Sequence, residues 1–139
     1  PEDVDVPTIM QGKQAVRQYL QNIKAKGKEA SKKELDVYNN MLIFNEMMSR
    51  GIEVLPIDIK HSHAMKYLPE NGKMRLPFGA LSGVGEKAAY SIYEAAQKGD
   101  FVSREDFQIE AGVSKTIIQN LSELGAMNDL PDTNQISMF

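Results

Sequence analysis

The sequence predicts a mainly α protein: two long helices, one short β element near the middle, then a helical domain and a flexible C-terminal tail. Three observations predict it. Apolar residues recur at helical spacing, most regularly as Val37, Met41, Phe44 and Met48. Serines and glycines punctuate the later chain, with Ser103 and Ser114 placed as N-caps and Gly99, Gly112 and Gly125 at helix ends. Asn71-Gly72 is the one strong hairpin signal.

The elements follow in order. Thr8-Ile9-Met10-Gln11 has capping-box form, with Ala15, Val16, Tyr19, Leu20 and Ile23 behind it, so a helix is predicted from 9 to 26, ended near Gly27. Ser31-Lys32-Lys33-Glu34 is a second capping box. It opens a helix whose stripe is flanked by Leu35, Tyr38 and Leu42, with Gly51 at its C-terminal cap and its methionines filling gaps in the core. Ile52, Val54, Ile57 and Ile59 alternate around Pro56, which fits an edge strand, and Lys73-Met74-Arg75-Leu76 reads as a returning strand. Short helices are predicted near 78–82, over 86–97, 104–111 and 115–124.

Composition narrows the class. A hydrophobic content of 42% supports a core, and the absence of Cys removes disulfides, Cys-ligated zinc and thiol nucleophiles. No apolar run approaches the roughly 20 residues of a membrane span, so no membrane partner is expected and a cytoplasmic location fits. Pro1-Glu2-Asp3-Val4-Asp5 has no leader character and no initiator Met, and the chain reads as a piece of a longer one. The net charge of −3 hides an asymmetry. Residues 12–33 carry seven Lys/Arg against Glu29 alone, a net of +6, while residues 100–139 hold seven acids against Arg104 and Lys115, a net of −5. The basic run is a solvated face or a local phosphate contact.

Leu81-Ser82-Gly83-Val84-Gly85-Glu86-Lys87-Ala88-Ala89 is the central motif. As Gly83-x-Gly85-x-x-Ala88 it matches a dinucleotide fingerprint, but that needs flanking strands of a βαβ unit, and the residues after Gly85 read as helices. The other reading is a helix-hairpin-helix, with Val84 plugging the angle between two short helices and the glycine pair allowing positive φ. The amides of Gly85, Glu86 and Lys87 would then face a phosphate at a helix N-terminus, with Lys87 adding a full charge. Candidate DNA-binding residues are therefore Ser82, Gly83, Val84, Gly85, Glu86 and Lys87. A plain turn between helices, without a ligand, accounts for the same pattern. His61-Ser62-His63 would put two imidazoles on one side of a strand; with no third His and no Cys, surface histidines are expected and no metal site. No nucleophile motif and no carboxylate cluster for paired Mg²⁺ occurs, so no catalytic residue and no cofactor are assigned to this segment.

The chain closes on Gln135-Ile136-Ser137-Met138-Phe139 behind the turn-forming Leu130-Pro131-Asp132-Thr133-Asn134. A disordered tail gains nothing in water from large apolar groups. Met138 and Phe139 either fold back onto the core or dock, as an extended peptide, into a partner's groove.

Taken together these motifs resemble the C-terminal end of a bacterial class C replicative polymerase, the PolC-type DNA polymerase III alpha subunit. Met10-Gln11-Gly12, Glu46-Met47-Met48-Ser49-Arg50-Gly51 and Asp58-Ile59-Lys60-His61-Ser62 resemble the end of its fingers region. Leu76-Pro77-Phe78-Gly79-Ala80-Leu81-Ser82-Gly83-Val84-Gly85 resembles its helix-hairpin-helix. Gly99 through Asp106 and Ser114 through Ala126 resemble its duplex-binding helices, and 131–139 its terminal clamp peptide. A chain ending at this pentapeptide fits the PolC type better than relatives that continue into further domains. Ile136 and Met138 stand where the family pattern has Leu. The resemblance implies three parts: the end of the fingers (1–75), a duplex-DNA-binding domain (76–130) and a sliding-clamp-binding tail (131–139). It implies a DNA-directed DNA polymerase as the parent, with its Mg²⁺-binding aspartates upstream of residue 1, and duplex DNA and the sliding clamp as partners. The alternative is a non-enzymatic helix-hairpin-helix module of repair or recombination.

Overall fold

The computed structural model describes residues 4–99, 101–128 and 130. Among the described residues six helices and a three-stranded sheet follow in the order α1 (Val6–Met10), α2 (Lys13–Lys26), α3 (Lys32–Ser49), β1 (Val54–Leu55), β2 (Leu68–Glu70), β3 (Lys73–Arg75), α4 (Glu86–Lys98), α5 (Arg104–Ala111) and α6 (Lys115–Glu123). The mainly α fold class is as the sequence predicts. The proposed tail lies outside the described residues.

The first helix departs from expectation. Instead of one helix from 9 to 26 capped by Thr8, there are two, broken at Gly12, whose φ of 103° only glycine adopts readily. Asp5 is the cap: its carboxylate accepts the Thr8 amide at 3.2 Å, and Pro7 occupies the first turn, where its missing N–H costs nothing. Val16, Leu20 and Ile23 of α2 are buried as their spacing requires.

α3 follows its sequence signals closely. Ser31 and Glu34 form the reciprocal capping box, and Lys26 reaches across to pair with the Glu34 carboxylate. Beyond Arg50 the chain turns through Gly51, with Gly51 and Ile52 amides donating to Met48 and Met47 carbonyls in a Schellman arrangement. Met41 and Phe44 are buried, with Val37, Met47 and Met48 packed against the same core. Leu35 and Leu42, expected beside the stripe, are exposed along with Ile43.

The Asn71-Gly72 turn is present, both residues having positive φ (53° and 82°), as a two-residue hairpin between β2 and β3 requires. β1 is an edge strand, as Pro56 directly after it dictates, and it pairs with β3 in parallel, Val54 opposite Met74 and Leu55 opposite Arg75. Arg75 ties the sheet together by pairing with Glu70 and donating to the Pro56 carbonyl at 2.9 Å.

One continuous hydrophobic core runs from Val4, Val6 and Val16 through Ile57 and Leu76 to Phe107 and Leu121. Residues 78–82, predicted as a short helix, form only a 3-10 turn over Phe78–Ala80. That turn is fixed from below: Phe78 and Gly79 amides donate to His63 and Ala64 carbonyls at 3.0 and 2.8 Å. A Cβ at Gly79 would lie 2.4 Å from the Met65 sulfur and 3.2 Å from the Ala64 carbonyl oxygen, so a side chain there would have to displace the flexible end of Met65.

Candidate nucleic-acid interface

The hairpin is assembled from Phe78–Ala80, the loop 81–85 and α4. Leu81 and Val84 point inward, Val84 fully buried, and the Val84 amide donates to the Leu81 carbonyl at 3.1 Å. Val84 is therefore the plug the sequence predicts, and its side chain cannot touch a ligand. Ser82, Gly83, Glu86 and Lys87 are exposed and Gly85 is half-buried. Of the glycine pair, only Gly83 has positive φ (87°). Gly85 is extended (φ −77°, ψ 174°), a conformation open to any residue, and a Cβ there would meet nothing within 4 Å. The expectation that both glycines need special backbone freedom is thus corrected. Gly85 leaves the space beside the helix clear without being forced by its backbone.

Electrostatically the start of α4 is open. Gly85 caps the helix without a side-chain hydrogen bond, and the first intrahelical bond is from the Ala89 amide to the Gly85 carbonyl at 2.8 Å. The amides of the first turn have no carbonyl one turn before them, so they carry the partial positive charge of the helix end outward. Among the described residues neither Glu86 nor Lys87 makes an ion pair. Glu86 opposes that potential and Lys87 adds to it.

A cleft of about 410 Å³ opens beside the hairpin, lined among others by Ser82, Tyr19, Lys33, Val37, Asn120 and Leu124. No local spacing signals this convergence, because residues 19, 33, 82 and 120 are distant in sequence. Burial, then the charges of Asp5 and Glu34, push the Tyr19 phenol above its ordinary range, so its hydroxyl keeps its proton.

His61 and His63 do not share a strand; they flank Ser62 in a turn. His61 is exposed beside Asp58 at 3.2 Å. His63 is half-buried rather than a surface residue: its ring packs 4.6 Å from that of Tyr93 and 5.9 Å from that of Tyr90, and its Nδ1 accepts the Met65 and Lys66 amides. Ser62 is buried, donating to the Leu76 carbonyl at 2.7 Å and accepting the Asp58 amide. This motif braces the loop under the hairpin. Among the described residues no group of three or more His, Cys, Asp or Glu could hold a metal ion, and no helix is long and apolar enough to cross a membrane. Gln135, Ile136, Ser137, Met138 and Phe139 lie outside the described residues.

An inward valine between two glycines, a tight turn before it and an uncapped helix after it define the class of protein. The chain belongs to the helix-hairpin-helix motif family, which it matches over residues 51–136. Beyond that motif it is similar over nearly its whole length to PolC-type DNA polymerase III. It is 38% identical to DNA polymerase III PolC-type of Bacillus cereus over 138 residues, covering 99% of this chain and 10% of that protein. Identity to the Bacillus subtilis (strain 168) protein is 36% over the same shares, and to that of Streptococcus sanguinis 33%, covering 97% of this chain and 9% of the relative. The resemblance read from the motifs is borne out. The chain spans about a tenth of the length of these relatives.

Proposed function

We propose that this chain is the duplex-DNA-binding and clamp-tethering segment of a bacterial replicative DNA polymerase, acting in the cytoplasm. The observation that carries the reading is the start of α4, where a glycine cap leaves the first amides open beside an exposed Lys87. Those amides and the ammonium group meet phosphate oxygens, while Val84, packed inside, holds the loop at its angle. Such contacts grip duplex without reading bases. Similarity to PolC-type DNA polymerase III over 99% of the chain favours a polymerase over a repair or recombination module. Template-directed synthesis belongs to the parent enzyme, whose magnesium would be held by aspartates upstream of residue 1; this segment holds product duplex behind the reaction. Gln135 would hydrogen-bond at the rim of a sliding-clamp groove, Ser137 would span the gap between anchors, and Ile136, Met138 and Phe139 would fill apolar pockets.

Two measurements test this reading. In fluorescence anisotropy, duplex binding should be weak, independent of sequence and lost in Gly85→Val, whose side chain blocks backbone approach. Lys87→Ala should lower the salt slope by roughly 1. Unchanged affinity in folded Gly85→Val would remove the hairpin as the contact. Deleting 135–139 should eliminate binding to purified clamp while leaving melting temperature and DNA affinity unchanged. A marked fall in melting temperature would instead place Met138 and Phe139 in the protein's own core.

A further inference from the structure

The cleft beside the hairpin gathers polar groups with no use in the fold. Lys33 at the start of α3, Tyr19 of α2, Ser82 of the hairpin and Asn120 of α6 all line it. Among the described residues none of these four side chains makes a hydrogen bond or ion pair. Each can donate to an oxyanion. At about 410 Å³ the cleft lies within the roughly 300–1,000 Å³ of ligand sites, and Val37 and Leu124 supply apolar wall. Two carboxylates also border it. Asp5 is committed to capping α1 through the Thr8 amide, and Glu123 is exposed.

The charge at the cleft is mixed: Lys33 stands on the lining with Asp5 and Glu123, and the basic run of residues 12–33 lies beyond it. α2 contains no acidic residue, and Lys32 and Lys33 stand exposed at the start of α3, while Lys26 is neutralised by Glu34. The Tyr19 phenol, protonated at neutral pH like any tyrosine, can donate to an anion. The cleft is contiguous with the hairpin through Ser82, which lines it and directly precedes Gly83.

We propose that this cleft seats the next phosphodiester of the DNA strand held at the hairpin, with Lys33 and the Ser82 and Tyr19 hydroxyls on phosphate oxygens and the deoxyribose against Val37 and Leu124. The inference rests on the hairpin reading for its neighbour, and assigns the basic run of residues 12–33 a part in duplex binding. A strand leaving the hairpin would cross from the helical domain onto α2 and α3, so the grip is shared between regions far apart in sequence.

The test is anisotropy on the 139-residue protein, with a labelled duplex and a single strand of the same sequence across a salt series. Circular dichroism melts confirm folding of each variant. Lys33→Ala should weaken duplex binding about 3-fold or more and lower the salt slope by roughly 1, as for one lost phosphate contact. Lys33→Arg should restore both. Tyr19→Phe, which keeps the ring, should give a smaller loss in the same direction. Lys33→Ala without effect, beside a loss in Gly85→Val, would overturn the cleft and leave the hairpin standing. A loss in Lys33→Ala with none in Gly85→Val would keep the cleft and remove the hairpin. A loss confined to the single strand would overturn the assignment to duplex.

Discussion

Two turns in this protein share a glycine–valine pattern and have different ends. Gly83-Val84-Gly85 leads into α4, and Gly112-Val113-Ser114 leads into α6. Each begins with a positive-φ glycine (87° and 66°), continues with a valine and closes with an extended residue before the helix. At α6 the Ser114 hydroxyl accepts the Ile117 amide at 3.3 Å, closing the helix end on itself. At α4 Gly85 offers no such group. Val84 is fully buried and Val113 only partly so. The turn alone therefore sets the direction of the chain; the cap residue decides whether the helix end is satisfied internally or left for a ligand.

The largest effect should come from breaking the first turn. Gly83→Val forces a β-branched residue to φ near 87° and should cost roughly 2–3 kcal/mol in chemical denaturation. Gly85→Val, in extended backbone with open space, should change stability by no more than about 0.5 kcal/mol while losing DNA affinity. Equal destabilisation by the two would show that the backbone difference between them is immaterial.

The plugs come next. Val84→Ala removes two buried methyl groups and should cost about 2 kcal/mol, against under about 1 kcal/mol for Val113→Ala, read from urea midpoints at constant m-value. A larger loss at Val113 would reverse the ranking.

Exchanging the caps sharpens the comparison. Gly85→Ser should gain a few tenths of a kcal/mol by supplying the missing cap, and should weaken duplex binding. Ser114→Gly should lose a similar amount and leave DNA binding alone. Binding that follows Ser114 and not Gly85 would move the interface to the second turn.

α3 supplies the smallest effect, because its end is closed by a titratable group. The Lys26 hydrogen bond and then the Ser31 amide hold the Glu34 carboxyl below its ordinary range. A depressed folded-state pKa stabilises the protein above the unfolded value, and this support is lost as pH falls through the ordinary Glu value of about 4.3 and on through the folded one. Thermal melts from about pH 6 downward should fall less steeply for Glu34→Gln than for the parent. Identical slopes would mean that the capping box adds no pH dependence.

The sequence by itself determined the parts governed by neighbours within a few residues. The Ser31, Ser103 and Ser114 caps, the Asn71-Gly72 turn, the α3 stripe and the span of α5 follow from spacing and cap chemistry, which act over one helical turn or one tight turn. So does the inward Val84. Other features were decided by contacts across the chain. Gly79 packs against the Met65 side chain, and His63 is held by Tyr90 and Tyr93, none of which a local pattern announces. Parallel pairing of β1 with β3 joins strands separated by a loop and another strand. The cleft is the extreme case: Tyr19, Lys33, Ser82 and Asn120 converge only because one hydrophobic core draws α2, α3, the hairpin and α6 together. Spacing encodes which face of an element is apolar; which elements share a core depends on burial summed over the whole chain.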